Sequence, residues 1–174
     1  MASLSLLPYE YEEIVELNYE FVNRDGIRYH LYFTPMDVLY PDMINTYSFN
    51  IEREGTTPHS IDRRIAATVI DILRRFFDKV ENAMIMVCDN TDGKQAKRRV
   101  LFNRWFNFYN DGTLSSRSAE VCEGYYQLLV SIYFKNNNPN KQQLIKSFND
   151  LMSRDIYEIV VWLYSIKSLY TLFI

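Results

Sequence analysis

The sequence predicts an α+β fold with a mixed, largely antiparallel central sheet and helices packed upon it. Two patterns carry this prediction. Between Tyr19 and Ile51 apolar side chains alternate with polar ones, which is typical of half-buried strands. From Ser60 onward the apolar period lengthens to that of a helix, and a short, wholly apolar run follows at Ala83–Cys88.

The first strands are predicted between Tyr19 and Phe33, as a hairpin whose turn is Asn23–Gly26, since Asp-Gly is a strong hairpin signal. In its second strand, one face is expected to be buried and the other polar; the buried set is Ile27, Tyr29, Leu31 and Phe33, and the polar set Arg28, His30 and Tyr32. After a loop, Tyr47, Phe49 and Ile51 predict a third strand that ends before Gly55 and Pro58. The acidic lead-in from Glu10 to Glu16 carries no predicted strand.

The middle of the chain predicts helix, strand and helix. Ser60–Val80 forms the first helix, with Ile65, Val69, Ile72 and Phe76 on its apolar stripe. Ala83–Cys88 is expected in the middle of the sheet, buried on both faces. A capping box of Asp92 and Gln95 opens a second helix through Tyr109, with these side chains facing inward: Val100, Leu101, Trp105 and Phe108.

The last third predicts a polar loop from Asp111 to Ser118 and then a strand from Tyr125 to Phe134. A third helix is expected from Asn138, as its cap, through Met152. Its apolar stripe is Leu144, Ile145, Phe148, Leu151 and Met152.

A chain of 174 residues and 20.8 kDa predicts one domain, 1–155, followed by an apolar C-terminal extension, 156–174. We expect this extension to complete the core or to pack against a second copy in a homodimer, rather than to enter a membrane, because Glu158 and Lys167 interrupt it. The start of the chain lacks the basic region of a signal peptide, which predicts a cytoplasmic protein with free thiols at Cys88 and Cys122.

Composition argues against several classes of function. A net charge of -3 gives no global field for nonspecific nucleic-acid binding. The two histidines, His30 and His59, lack metal-ligand spacing with the cysteines, and no hydrolase or phosphate-binding motif is present. We therefore predict no catalytic residue, no metal and no cofactor, with His30 a partly buried structural histidine.

The most informative stretch is Cys88–Gln95, where a central strand ends and a helix begins. Ligands of α/β sheets gather at such junctions, since helix N–H groups and loop side chains converge there. Helix capping and turn formation by Asp92 and Asp89 explain the same residues without a ligand. The candidate binding residues, taken from this stretch and the basic helix faces, are Asp89, Asp92, Lys94, Gln95, Arg98, Arg99, Arg63 and Arg64.

Laid out in order, Val87-Cys88-Asp89, Asp92-Gly93-Lys94-Gln95, Arg98-Arg99, Leu101-Phe102 and Trp105-Phe106 resemble a protein family of unknown function found mainly in Bacteroidetes. The resemblance covers roughly residues 10–150 and implies a bacterial origin but no activity. A weaker similarity is to the acetyltransferase fold, whose core has the order three antiparallel strands, helix, strand, helix, strand. It implies a coenzyme A pyrophosphate site at the loop before the first helix, where Gly55–Ala66 holds a single glycine and Pro58.

Three functions follow as hypotheses. The leading one is a noncatalytic bacterial protein-binding module of the accessory, antitoxin or immunity type, since no catalytic constellation accompanies a well-made core. The alternatives are a divergent acyl-coenzyme A-dependent acyltransferase using the Gly55–Arg64 loop, and a nucleic-acid-binding protein using the basic helix faces.

Overall fold

The computed structural model describes residues 6–55, 62–89, 93–123, 126–154, 157–159 and 161. Its strands are β1 (Tyr11–Val15), β2 (Asn18–Val22), β3 (Arg28–Pro35), β4 (Thr46–Arg53), β5 (Ala83–Asp89), β6 (Leu114–Glu123) and β7 (Tyr126–Lys135). The helices whose two ends lie within the described residues are α1 (Arg63–Phe76), α2 (Gln95–Tyr109) and α3 (Lys141–Met152). The predicted α+β class is confirmed.

The seven strands form one mixed sheet in the order β1-β2-β3-β4-β5-β7-β6. Antiparallel pairing joins β1 to β2, β2 to β3, β5 to β7 and β6 to β7. β4 and β5 are parallel, with Thr46–Ser48 opposite Ala83–Ile85. Parallel neighbours need a crossover connection, and α1 lies within the one that joins these two strands.

Contacts divide the chain into two compact units, which are described separately. The first comprises Met1–Phe33 and Asn50–Lys79, and the second Thr34–Phe49 and Val80–Ile174. The expectation of one domain with a C-terminal extension stays a prediction.

The first unit packs α1 against an aromatic sheet face. Tyr19, Phe21, Tyr29 and Phe33 are buried, and the ring of Phe33 stacks on Phe76 of α1 with centroids 4.1 Å apart. The hairpin turn is as predicted, with the Asn23 side chain accepting the N–H groups of Asp25 and Ile27. The apolar stripe of α1 is also confirmed, although the helix ends at Phe76 and the turn from Phe77 replaces the last four residues of the expected helix.

The second unit has a core on both faces of β5 and β7. One face holds Ile85, Val130, Ile132 and Phe134 against Leu144, Phe148 and Leu151 of α3. On the other face, Phe106 of α2 lies 5.1 Å from the Tyr133 ring, and Phe102 lies 5.8 Å from Phe49. The prediction that Ala83–Cys88 is a central strand buried on both faces is confirmed.

Ile159 is fully buried in this core. It shows one residue of the predicted C-terminal extension packing inward, while Tyr157 and Val161 are exposed. The segment from Trp162 onward lies outside the described residues.

Two strands were not predicted. β6 occupies part of the segment expected to be a polar loop, because serines and charges suit an edge strand, and its Ala119 and Val121 alone pack on the core. β1 forms in the acidic lead-in, where Glu12 and Glu13 interrupt the alternation of apolar and polar residues that predicts a strand.

Several predicted faces and ends were wrong in detail. Tyr32, expected on the polar face, is 2% exposed, and its hydroxyl donates to Glu52 Oε1 at 2.7 Å. Tyr47 and Ile51 are only half-buried, whereas Ser48 between them is buried. α3 begins at Lys141 with Asn140 at the cap position; Asn138 lies in the turn before it, where its side chain donates to Glu81 O at 2.9 Å and accepts from Asn140 N–H at 2.8 Å.

Candidate functional site

The predicted basic residues belong to different units: Arg63 and Arg64 lie on α1 in the first, and Lys94, Arg98 and Arg99 on or beside α2 in the second. Each group is therefore considered by itself.

Arg64 is a structural residue. Its guanidinium donates from Nε to Leu7 O and from Nη2 to Pro8 O, both at 3.0 Å, and lies 4.0 Å from the centre of the Tyr9 ring. These contacts fasten the segment before β1 to α1, so that Arg64 has little freedom to bind a ligand. Arg63 beside it is exposed.

The N-terminus of α1 is closed by a carboxylate. Asp62 Oδ1 accepts the Arg64 N–H at 2.9 Å, and Asp62 Oδ2 accepts the Tyr9 hydroxyl at 2.7 Å. Burial and this second hydrogen bond raise the pKa of Tyr9. A negative side chain at the positive end of the helix dipole stabilises α1 and disfavours an anionic ligand at the same place. The sequence pattern did not single out Asp62, although an acid directly before a helix is a usual cap signal.

The junction of β5 and α2 differs from the predicted capping box. α2 starts at Gln95 with Lys94 at the cap position, and the Lys94 side chain makes no capping hydrogen bond. Asp92 lies outside the described residues. Asp89 ends β5 and Gln95 begins α2, and for both the structure describes the backbone alone. Whether these residues bind a ligand together stays a prediction.

The outer face of α2 is defined here by Lys97, Val100, Leu101, Asn103, Arg104 and Asn107, all of them exposed. Val100 and Leu101 were expected to face inward but are 56% and 42% exposed. Phe102, Trp105 and Phe106 are half-buried: Phe102 and Phe106 pack on Phe49 and Tyr133 of the sheet, and Trp105 packs on Phe102. Val100 falls on the side of the helix opposite these aromatic residues, whereas Leu101, four residues before Trp105, lies at the border between the two sides.

Charge on α2 is of one sign. The helix carries Lys97, Arg98, Arg99 and Arg104 and no acidic residue. Arg99 is 3.9 Å from the Glu120 carboxylate of β6, both groups being about half exposed, and Arg98 is half-buried. Val100, Asn103, Arg104 and Asn107 line a shallow depression along one side of the helix. Apolar, amide and cationic groups thus alternate on a surface that the core does not use.

A second polar cluster covers the outer face of the first unit. His30 Nδ1 lies 3.5 Å from Glu20 and Nε2 lies 3.4 Å from Glu54, while Arg28 contacts Glu20 and lies 3.6 Å from Glu54. Both ring nitrogens therefore face carboxylates. This geometry holds β2, β3 and the end of β4 together, and it leaves His30 without an open nitrogen for acid–base chemistry. His59 lies outside the described residues.

Neither cysteine forms a disulfide: Cys88 is buried in β5, and Cys122 is exposed on β6. Desolvation and the hydrogen bond from Cys122 Sγ to Glu120 at 3.5 Å raise the pKa of that thiol, the opposite of what a nucleophile needs. Within the described part of the chain, no group of three His, Cys, Asp or Glu side chains could hold a metal ion. Among the same residues, no helix has both the length and the hydropathy to cross a membrane.

Comparison with protein families places this chain. The model of a family of unknown function, DUF6169, matches residues 61–150, more than half of the sequence. The chain belongs to this family. In the DUF6169 match lie α1, β5, α2, β6, β7 and most of α3, hence all of the candidate binding residues. Comparison with curated proteins found no match, and neither did comparison with solved structures.

Proposed function

We propose that this DUF6169 protein is a noncatalytic protein-binding module, of the accessory, antitoxin or immunity type, in the cytoplasm of a bacterium of the Bacteroidetes. The observation that carries the proposal is the outer face of α2, where Val100 and Leu101 stand exposed among Lys97 and Arg104 on a helix without an acid. An exposed apolar patch that is rimmed by polar residues is typical of an interaction surface.

The partner is inferred from this chemistry. A helix that presents apolar side chains in a row with cations and amides fits an amphipathic segment with an apolar stripe and flanking carboxylates. Opposite charges steer such a partner and select against basic ones. Phe102 and Phe106 pack α2 on the sheet, so the face is presented on an element held by the core.

Affinity purification from the native host, after nuclease treatment, tests the proposal. The wild-type chain should recover a stoichiometric protein, and the variant Lys97→Glu/Arg104→Glu should recover at least about tenfold less, which corresponds to about 1.4 kcal/mol. The matched control is Arg63→Glu/Arg74→Glu, which makes the same charge change at exposed positions of α1. Equal losses in both variants, or recovery of nucleic acid alone, would count against the proposal.

The second candidate is a divergent acyl-coenzyme A-dependent acyltransferase. It is favoured by the order β2, β3, β4, α1, β5, α2, β6, the three strands, helix, strand, helix, strand on which the acetyltransferase similarity rests. The Asp62 carboxylate at the N-terminus of α1 weighs against it, because the cofactor pyrophosphate would meet a capped helix and a like charge.

Calorimetry with acetyl-coenzyme A separates the two candidates. Saturable heat at micromolar cofactor would favour the acyltransferase, and its absence would favour the binding module. The variant Asp62→Ser keeps a capping oxygen and removes the charge, so an affinity gain in this variant would locate the cofactor at α1.

A further inference from the structure

The outer edge of β6 is long and regular, and it has no part in the proposed function. β6 ends the strand order and pairs with β7 over ten residues without a register shift. β1, at the other end of the order, has five residues and a shifted register between Glu13 and Val15. Native edge strands are commonly protected in the manner of β1, by shortness, a bulge and charge, because an open edge pairs with other strands. β6 carries charges but is neither short nor bulged.

The direction of the β6 backbone groups follows from two contacts. Asn136 N–H donates to Thr113 O at 2.8 Å, one step beyond the pair Leu114 and Lys135. Odd-numbered residues of β6 therefore hydrogen-bond to β7, and even-numbered ones point away from it. Leu114 agrees with this, since its outward C=O and N–H both bond to the Asn110 side chain, at 2.9 and 3.2 Å.

Beyond Leu114, the backbone groups of Ser116, Ser118, Glu120 and Cys122 point outward. No backbone partner for them occurs among the described residues. These residues form an open ladder whose midpoint is Ala119.

We propose that this ladder pairs with β6 of a second copy, antiparallel, about a twofold axis at Ala119. In that register Ser116 stands opposite Cys122 of the second copy and Ser118 opposite its Glu120. Each such pair exchanges two backbone hydrogen bonds, and every outward group from Ser116 to Cys122 is used. A twofold axis repeats each contact, which makes the interface closed and self-complementary.

Side chains are compatible with this register. The small Ala119 meets its own copy at the axis, where the strands approach most closely. Each Glu120 faces a serine hydroxyl, which can donate to its carboxylate, and has Arg99 of its own chain 3.9 Å away. Arg117 faces Val121 of the second copy, so no like charges stand directly opposite. Any strand could pair with the open backbone groups of β6. Because the side chains of β6 also suit each other about the twofold axis, we favour a second copy over an unrelated strand.

Sedimentation analysis of the full chain tests the dimer. The wild type and Ser118→Ala should sediment as dimers. Ser118→Pro should sediment as a monomer with an unchanged circular dichroism spectrum, because it removes an outward N–H at an edge where proline is tolerated. A wild type that stays monomeric at every concentration overturns the proposal, and so does a folded Ser118→Pro variant that remains a dimer.

Disulfide trapping tests the register. If Ser118→Pro does not fold, this experiment alone decides whether the proposed dimer forms. In a Cys122→Ser background, Ala119→Cys should cross-link two chains on oxidation, because non-hydrogen-bonded partners lie about 4.5 Å apart at Cα. Ser115→Cys is the control, since this register places the two copies of residue 115 far from each other. Failure of Ala119→Cys to cross-link, or equal cross-linking of Ser115→Cys, overturns the register and with it the proposed dimer.

Discussion

Single carboxylates determine much of what the first unit can do. Asp62 shows this most clearly, because one side chain caps α1, holds the Tyr9 hydroxyl and puts a negative charge where a phosphate would otherwise find free N–H groups. Its role in stability can be separated from any role in binding.

The variant Asp62→Ala is expected to lower the free energy of unfolding by about 1–2 kcal/mol, because a lost cap costs about that much and Tyr9 loses its acceptor. Urea denaturation measures the change. Asp78→Ala removes an exposed carboxylate just after α1 and should change stability by less than about 0.5 kcal/mol. Equal effects of the two substitutions would show that the cap contributes nothing particular.

Glu12 illustrates a local conflict. It stands directly opposite Glu20 in the β1–β2 pair, and like charges in that position repel. Glu12→Lys should therefore raise the free energy of unfolding by about 0.5–1 kcal/mol in low salt, and less in high salt. Glu10→Lys, outside the strand, makes the same charge change, and a gain of the same size there would contradict a cross-strand cause.

Among the elements, α2 departs furthest from ordinary helix design. Its cap residue Lys94 makes no side-chain capping hydrogen bond, its first turn has no acid, and cations follow near the positive end of its dipole at Lys97, Arg98 and Arg99. Such an arrangement costs stability, which is consistent with a surface kept for binding.

The variant Lys97→Glu should consequently stabilise the protein by about 0.5–1 kcal/mol in urea denaturation, since an acid in the first turn interacts favourably with the dipole. Arg104→Glu makes the same change further along α2 and should bring no such gain. If Arg104→Glu stabilises the protein as much as Lys97→Glu, the effect comes from net charge and not from the helix end.

Periodicity predicted those elements whose apolar pattern is set by the core, namely α1, β5, β7 and the stripe of α3. It did not predict β6, because an edge strand with one face solvated needs few apolar residues. It placed Val100 and Leu101 inside because apolar identity alone cannot tell a core position from an exposed one. Asp62 could have been recognised as a cap from sequence, whereas the contacts of Arg64 with Leu7 and Pro8 depend on the tertiary fold.

For the molecule as a whole, we expect the free energy of unfolding to fall at alkaline pH, because the first unit is rich in buried tyrosines. Desolvation and the nearby Glu13 raise the pKa of Tyr19 to about 12, and Tyr9 and Tyr29 are shifted in the same direction by burial. A tyrosine whose pKa is raised in the folded state keeps its proton to a higher pH there than in the unfolded state. Stability should thus be unaffected by these groups below pH 10 and fall as the pH rises from about 10 towards about 12.

Thermal unfolding across this pH range checks the expectation, with Tyr19→Phe as the comparison. The variant should lose less stability than the wild type between neutral and alkaline pH, since it has no proton to lose at that position. If the stability of the two proteins falls equally with rising pH, the pKa of Tyr19 is not raised in the folded state.

The proposed function requires this protein to bind a partner through the outer face of α2. Hydrogen exchange read by mass spectrometry, on the chain alone and on its complex purified from the host, tests this binding site. We predict that binding slows exchange in peptides from Gln95 to Tyr109 and leaves α1 unchanged. A complex in which α2 exchanges as fast as in the free chain, while another segment becomes protected, would contradict the claim.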